Sequence, residues 1–273
     1  MILNKQEARK IINLNPKGLI DVDIAERQFE VILKGFNHLN QSKNNFLYIA
    51  DEVGLGKTYV ALGIASLLRH FSSNKEHHKD CIIVPKKNLQ SKWRKEIRNF
   101  ISNNYLLECN IVKTPLGTSV GLCEDVNIHP RLEYVGRENP SYEIFRNSSF
   151  SISASSDDWK EKLVDQLPES VAYIFKAAIE RFKTIEQDVL LRRLYAYLLN
   201  ITMPDFDLLI VDEAHNFKHG TQGEVSYRNQ VVSRMMGVIY TEDEVIFREF
   251  PELKDKLKPL SGKVILLSAT PLD

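Results

Sequence analysis

The sequence contains few cysteines, no excess of either charge and no long apolar run. Its 273 residues include three cysteines, Cys81, Cys109 and Cys123, which are too few and too far apart for a zinc site or a disulfide framework. No stretch approaches the roughly 18 to 20 apolar residues that span a bilayer. The start of the chain lacks the apolar core of a signal peptide. A cytoplasmic location without a membrane partner is therefore the default expectation.

The overall composition is that of an ordinary globular protein. Hydrophobic residues make up 43% of the chain and charged residues 26%, both close to the usual values. The length fits one large domain, or one domain with an insertion. Lysine and arginine together number 36, as do aspartate and glutamate, so the total charge does not indicate a polyanionic partner. Any surface for nucleic acid has to be a local basic patch.

A glycine-containing segment follows the apolar run 46–50 and indicates a phosphate site. Its residues are Asp51, Glu52, Val53, Gly54, Leu55, Gly56, Lys57 and Thr58. A strand, a glycine loop and a helix start bind phosphate because backbone N–H groups and the helix N-terminus point at the anion. Lys57 adds a positive charge, and Thr58 offers a hydroxyl to Mg²⁺. The usual loop has Gly or Ala where Asp51 stands, so a chance Gly-Lys-Thr at a strand-to-helix turn is the alternative.

Two polar residues lie on a predicted helix upstream of this loop. Residues 1–45 have the apolar spacing of short amphipathic helices, and Arg27 and Gln28 lie within the second of them. A glutamine before a phosphate loop can read an adenine edge, since its amide places a donor and an acceptor side by side. From chemistry alone, an exposed helix glutamine is the simpler interpretation.

A local basic segment follows the loop. The apolar run 81–84 predicts a buried strand that ends at Pro85 and leads into a helix from about 89 to 101, with Trp93 on its core side. Against one acid, Glu96, this segment carries six basic residues: Lys86, Lys87, Lys92, Arg94, Lys95 and Arg98. Such a patch suits a phosphate backbone. An ordinary solvated helix face explains it equally well.

The middle of the chain shows two patterns. Residues 114–158 contain scattered Gly, Pro, Asn and Ser, which predict loops or short strands. Residues 159–201 have apolar side chains at helical spacing, which predicts two or three helices broken at Pro168.

Two acids follow another apolar strand. The run 206–211 is typical of a strand buried in a parallel sheet, and Asp212, Glu213, Ala214 and His215 come directly after it. The carboxyl end of such a strand is where an open α/β sheet places its chemistry. Asp212 is a candidate Mg²⁺ ligand, directly or through water, and Glu213 a candidate base for an attacking water.

A last apolar strand, 263–267, leads into Ser268, Ala269 and Thr270. Small hydroxyl side chains at the end of a strand can form hydrogen bonds with acids on the adjacent strand. By itself this tripeptide is not specific.

Taken in order, these segments resemble the first motor domain of a superfamily 2 helicase or translocase. The Q-type motif of that family, its motifs I and Ia, its DEAH-type motif II and its motif III correspond to Gln28, 51–58, 82–93, 212–215 and 268–270. The residues of these segments look most like those of the Swi/Snf-type branch, in which Asp is the usual residue at the position of Asp51.

The resemblance implies an α/β, RecA-like P-loop fold with a mainly parallel sheet flanked by helices. It also implies a protein that binds ATP and Mg²⁺ and uses hydrolysis to move along double-stranded DNA, with RNA not excluded. In that family Lys57, Asp212 and Glu213 would carry catalysis, and Thr58 and Asp212 would hold the metal. Gln28 would read adenine with Arg27 beside it.

Further roles follow from the same resemblance. Pro85, Lys86 and Gln90 are expected near a phosphate track of nucleic acid. His215, Ser268 and Thr270 are expected to couple hydrolysis to nucleic-acid contact rather than to perform chemistry.

The resemblance also implies a division of the chain. Residues 1–45 would be a helical flank with the Q-type motif, and residues 46–273 the first RecA-like domain, with an insertion at about 114–203. A second RecA-like domain, in the same product or in a partner subunit, supplies an arginine finger worth roughly 10³ to 10⁵ in rate in this chemistry. It is absent from residues 1–273, so this stretch is expected to bind ATP and to hydrolyse it slowly.

Two other interpretations stay open. One is an ATP-binding interaction module in which the nucleotide orders the insertion for a protein partner; a second domain with an Arg-rich motif would exclude it. The other is a P-loop ATPase of a different lineage, such as an AAA-type ring subunit, and assembly of rings on adding ATP would favour it.

Overall fold

The fold is built from parallel strands and flanking helices. The computed structural model describes residues 2–18, 20–41, 43–50, 56–106, 111–113, 119–129, 140–146, 149, 158–217 and 227–269. The strands are β1 (Phe46–Ala50), β2 (Asp80–Val84), β3 (Ile111–Lys113), β4 (Ser119–Gly121), β5 (Val126–His129), β6 (Tyr142–Arg146), β7 (Leu208–Val211) and β8 (Val264–Ser268). The helices are α1 (Lys5–Ala8), α2 (Val22–Leu39), α3 (Lys57–Phe71), α4 (Lys87–Asn103), α5 (Trp159–Asp165), α6 (Glu169–Arg181), α7 (Asp188–Thr202), α8 (Tyr227–Met235) and α9 (Glu244–Glu249).

Six strands form one sheet in the order β1-β8-β7-β2-β6-β5. Every neighbouring pair in it is parallel, while β3 and β4 form a separate antiparallel pair. Because parallel strands end on the same side, the carboxyl ends of β1, β8, β7 and β2 lie together at one edge. The α/β fold with a parallel sheet predicted from the sequence is confirmed.

The sheet carries a hydrophobic core on each face. Alternate residues of a strand point to opposite faces, so Cys81 and Ile83 join one cluster while Ile82 and Val84 join the other. The first cluster is covered by residues of α5 to α9 and the second by residues of α1 to α4. Burial on both faces explains why the central strands read as continuous apolar runs.

The amino-terminal flank packs into the second of these cores. Phe29, Ile32 and Phe36 of α2 are buried in the same cluster as Ile64 of α3. The two helices approach closely at Gly63, where an added Cβ would overlap the side chain of Ile32. The flank thereby places α2 directly beside the start of α3.

The predicted strands and helices are present with small changes of boundary. Helix α3 begins at Lys57, within the predicted phosphate segment, and α4 extends the predicted 89–101 at both ends. The helical pattern of 159–201 corresponds to α5, α6 and α7, with Pro168 directly before α6.

The range 114–203, in which the sequence predicts an insertion, supplies β5 and β6 to the main sheet. That part of the range therefore belongs to the central architecture. Strand β6 does not form a continuous apolar run, because Glu143 is its second residue and Arg146 its last. Among the helices of the described ranges, none has the length and apolarity needed to cross a membrane.

Candidate functional site

Polar residues from distant parts of the sequence meet at the carboxyl edge of the sheet. In the parallel register, Ala50 of β1 pairs with Ser268 of β8, and Val211 of β7 pairs with Leu266. Neighbouring strands are about 4.8 Å apart, so the start of α3 after β1 and the acids after β7 are separated by about two strand spacings. This edge brings together the start of α3, Asp212, Glu213 and Ser268.

Gly56 marks the entry into α3. It is the N-cap residue, with φ 82° and ψ 25°, a left-handed conformation that glycine adopts without the steric penalty of a side chain. The first N–H groups of the helix have no partner within it, which suits an anion. Lys57 and Thr58 are its first two residues and both are partly exposed. Asp51, Glu52, Val53, Gly54 and Leu55 lie outside the described residues.

The side chain of Gln28 lies against this helix start. A Cβ added at Gly56 would overlap the amide nitrogen of Gln28, so the two residues are in direct contact. Arg27 is exposed beside it on α2. A cleft of about 240 Å³ also opens beside α2. It is lined by Arg9, Asn13, Val22, Glu26 and Phe29, among others.

Asp212 is held by hydrogen bonds to both of its carboxylate oxygens. The indole Nε1–H of Trp93 donates to Oδ2 over 2.8 Å, and the backbone N–H of Glu213 donates to Oδ1 over 3.0 Å. Burial raises the pKa of Asp212, and the Trp93 hydrogen bond opposes that rise. The two hydrogen bonds therefore fix the orientation of the carboxylate, which remains partly exposed.

The residues after Asp212 form a second polar contact. Glu213 has φ 52°, the only positive φ of a non-glycine residue within the described part of the chain. Its Oε2 lies 3.2 Å from Nδ1 of His215, and the hydroxyl of the fully buried Ser268 lies 3.4 Å from the same nitrogen. A positive φ at a non-glycine residue is strained and tends to occur at functional sites. Thr270 lies outside the described residues.

The predicted nucleic-acid residues separate into two environments. Pro85 is half-buried and Lys86, the N-cap of α4, is exposed. Gln90 is 2% exposed, and its amide donates to the backbone oxygens of His129 and Ile144 over 2.9 and 3.0 Å. Its side chain therefore binds the sheet, whereas the resemblance implied a place near a phosphate track. The reason is that position 90 lies on the buried face of α4.

The hydrogen bond between Trp93 and Asp212 is the part of the site that the sequence did not predict. Trp93 is predicted as a core residue of its helix and as the last residue of motif Ia, without a role at the acids. A usable signal exists, because a buried indole N–H normally finds a hydrogen-bond acceptor. Spacing along the chain does not say that the acceptor lies at the end of β7, 119 positions away.

The donor set of this edge fits Mg²⁺. This ion usually takes one or two protein ligands and fills its other positions with water and phosphate oxygens. Asp212 supplies an oriented carboxylate at the edge of the sheet, and Thr58 supplies a hydroxyl at the start of α3. Within the described residues, no group of three or more His, Cys, Asp or Glu side chains could hold a metal by itself.

Comparison with known proteins gives a family. A search of curated proteins found no match. The model of the family described as "Type III restriction enzyme, res subunit" matches residues 21–271, which include Gln28, Lys57, Asp212 and Ser268. The match covers most of the 273 residues and agrees with the parallel six-stranded sheet. The chain belongs to this ResIII family and is a superfamily 2 helicase-like motor domain.

Proposed function

We propose that this chain is the ATP-binding motor half of an ATP-dependent translocase of the Swi/Snf-like type, acting on double-stranded DNA. One observation carries the proposal. The start of α3, the acids after β7 and Ser268 lie on adjacent strand ends of one parallel sheet, with Gln28 in contact with the entry to α3. Family membership adds the ATP-dependent helicase-like class.

The nucleotide site is assigned to the edge beside α2 and α3. The phosphates bind the loop 51–56, the N-terminus of α3 and the Lys57 ammonium group. Gln28 and Arg27 read the adenine base, which the contact between Gln28 and Gly56 supports. Asp212 and Thr58 would hold Mg²⁺, which would supply positive charge to the phosphates.

Glu213 is assigned as the residue that orients and deprotonates the attacking water. Its carboxylate is partly exposed and lies next to His215, so it can accept a proton while His215 and Ser268 sense its state. In this proposal His215, Ser268 and Thr270 carry the coupling roles of the DEAH-type motif II and motif III. Hydrolysis at full rate requires a second RecA-like domain that brings an arginine to the phosphates.

The nucleic-acid track is assigned to the exposed face of α4. Lys86, Lys87, Lys92 and Lys95 lie on or just before this helix with their side chains open to solvent, and they begin where β2 ends, beside β7. Gln90 is left out of the track, because its amide is bound to the sheet.

The test measures binding of fluorescent duplex DNA by anisotropy, with and without a non-hydrolysable ATP analogue and Mg²⁺. We expect the analogue to change duplex affinity in the unsubstituted chain and to have no effect in Lys57→Ala. The matched control is Lys254→Ala, which removes an exposed lysine away from the site. Tighter binding of duplex RNA than duplex DNA would overturn the DNA assignment. Equal DNA affinity with and without the analogue would overturn the motor assignment.

A further inference from the structure

Helix α4 is connected to the sheet by two polar side chains on its buried face. Gln90 donates to backbone oxygens at the ends of β5 and β6. Trp93, one turn further on, donates to the carboxylate of Asp212 at the end of β7. The rest of the buried face is apolar and packs through Ile97 and Phe100. The helix is thus fixed to the edge of the sheet where the proposed metal ligand lies.

The contact of Trp93 with Asp212 has the geometry of a specific interaction. The distance from Nε1 to Oδ2 is 2.8 Å, and Trp93 is 1% exposed, so water does not compete for the indole donor. The N–H of Glu213 occupies one direction on Oδ1. A carboxylate oxygen accepts two hydrogen bonds, so each oxygen keeps one direction for a metal or water. Together the two donors fix the rotation of the carboxylate.

Trp93 also lies beside the basic face of the same helix. Lys92 is its neighbour in sequence and is exposed. Burial raises the pKa of Asp212, and the nearby charge of Lys92 opposes that rise. Because Trp93 and Lys92 lie on the same helix, a rigid-body shift of α4 would move the indole N–H that donates to Asp212.

We propose that Trp93 is a positioning residue for Asp212, and that it links α4 to the Mg²⁺ site. The inference rests on the proposed function, since it takes Asp212 as the metal ligand. Groups that hydrogen-bond to metal ligands typically contribute about 10- to 100-fold to metal affinity. Loss of the indole donor is expected to weaken Mg²⁺ binding by a factor in that range.

The test removes the donor and keeps the ring. The chain has two tryptophans, so in a Trp159→Phe background position 93 alone can take 3-benzothienylalanine, which replaces the indole N–H with sulfur. Trp93→Phe is a second variant, and Trp159→Phe is the matched control because Trp159 packs in the other core cluster. Binding of a fluorescent ATP analogue is titrated over a range of Mg²⁺ concentrations and in EDTA, with thermal unfolding measured alongside.

We expect the benzothienyl variant to require about 10- to 100-fold more Mg²⁺ for tight nucleotide binding. Its affinity in EDTA and its melting temperature should equal those of Trp159→Phe. An unchanged Mg²⁺ requirement, or an equal loss with and without Mg²⁺, would overturn the inference. If the unsubstituted chain binds no nucleotide, the proposed function fails first, and the inference fails with it.

Discussion

Burial raises the pKa of two carboxyl groups, those of Asp212 and Glu143. Asp212 accepts hydrogen bonds on both oxygens and lies at the open edge of the sheet. Glu143 is fully buried within β6, and its Oε2 is paired with His129. Within the described part of the chain nothing donates to its Oε1. Burial of the Glu143 carboxylate therefore costs folding free energy. The corresponding cost is smaller for Asp212, whose carboxylate has two hydrogen-bond donors.

We expect Glu143→Gln to stabilise the fold at neutral pH. Desolvation raises the pKa of Glu143 and outweighs the hydrogen bond from His129, which lowers it. The unfolded chain therefore loses this proton at a lower pH than the folded chain. Folding stability decreases as the pH rises from 4.5, the ordinary pKa of the group, to its raised pKa in the folded chain. A neutral glutamine removes that decrease. Thermal unfolding at several pH values should show a higher melting temperature for the variant above this window.

The control for that experiment is Glu252→Gln, which neutralises an exposed acid and is expected to stay within about 0.5 kcal/mol of the unsubstituted chain. A lower melting temperature for Glu143→Gln at neutral pH would mean that the ion pair with His129 contributes more than burial costs.

Gly56→Ala is expected to cost roughly 1 to 2 kcal/mol of stability, because an L-residue is held at positive φ. It should also displace Gln28, whose amide occupies the space of the new Cβ. Loss of the preference for ATP over GTP is therefore expected in this variant, as in Gln28→Ala, and competition binding measures it.

Gly18→Ala provides the matched control for backbone strain. Gly18 has φ 65°, yet a Cβ there meets nothing within 4 Å. It should lose similar stability and keep the nucleotide preference. If Gly56→Ala discriminates ATP from GTP as well as the unsubstituted chain does, Gln28 is not the adenine reader.

At the scale of elements, α4 combines a buried face tied to the sheet with an exposed lysine face. The side chain of its N-cap Lys86 makes no capping hydrogen bond. Neutralising Lys86 and Lys87 therefore removes positive charge without removing a cap, and it does not oppose the helix dipole. The two roles of the helix can be tested separately.

We expect Lys86→Gln with Lys87→Gln to weaken duplex binding at low salt and to leave the melting temperature unchanged. The slope of log K against log salt should become shallower by about 0.9 for each phosphate that the protein no longer neutralises. The double substitution Lys254→Gln and Lys256→Gln, which neutralises two exposed lysines ahead of β8, is the control. An equal effect of both pairs would show that the total charge, and not α4, binds the DNA.

The elements that the sequence predicts are those specified by local patterns. Apolar runs predict β1, β2, β7 and β8, because strands buried on both faces need no polar residues. Helical spacing predicts α4 to α7. Strand β6 is different, since Glu143 within it is accommodated by His129 on β5. Pairing between strands is nonlocal, so no window of sequence contains it.

The site divides in the same way. The motifs around Lys57, Asp212 and Ser268 are contiguous in sequence, and the parallel order of the strands then brings them to one edge. The burial of Gln90 and the donor role of Trp93 depend on which face of α4 meets the sheet and on what lies opposite. The sequence shows that α4 has a core side, but not which atoms its polar groups meet.

At the scale of the whole molecule, stability and chemistry occupy different parts of the sheet. The two hydrophobic clusters cover its faces, while the proposed catalytic residues lie beyond the carboxyl ends of its strands. Polar substitutions at that edge are therefore expected to change binding more than folding. Mg·ATP should in turn stabilise the fold by mass action, by about 2.7 kcal/mol at a concentration of 100 times Kd.

The last prediction concerns turnover by residues 1–273 assayed alone. This domain supplies Lys57, Thr58, Asp212 and Glu213, and the proposed arginine finger comes from a second RecA-like domain. Since such an arginine is worth roughly 10³ to 10⁵ in rate, we expect thermal stabilisation by Mg·ATP together with turnover well below about 1 per second, the lower end of typical enzymes.

Two variants separate binding from hydrolysis in the same assay. Lys57→Ala should lose the thermal stabilisation, because the phosphates lose their cation. Glu213→Gln should retain it and lower any residual turnover, because only the base is removed. Turnover of about 1 per second or more with duplex DNA would show that one domain suffices, and wild-type turnover in Glu213→Gln would assign the base to another residue.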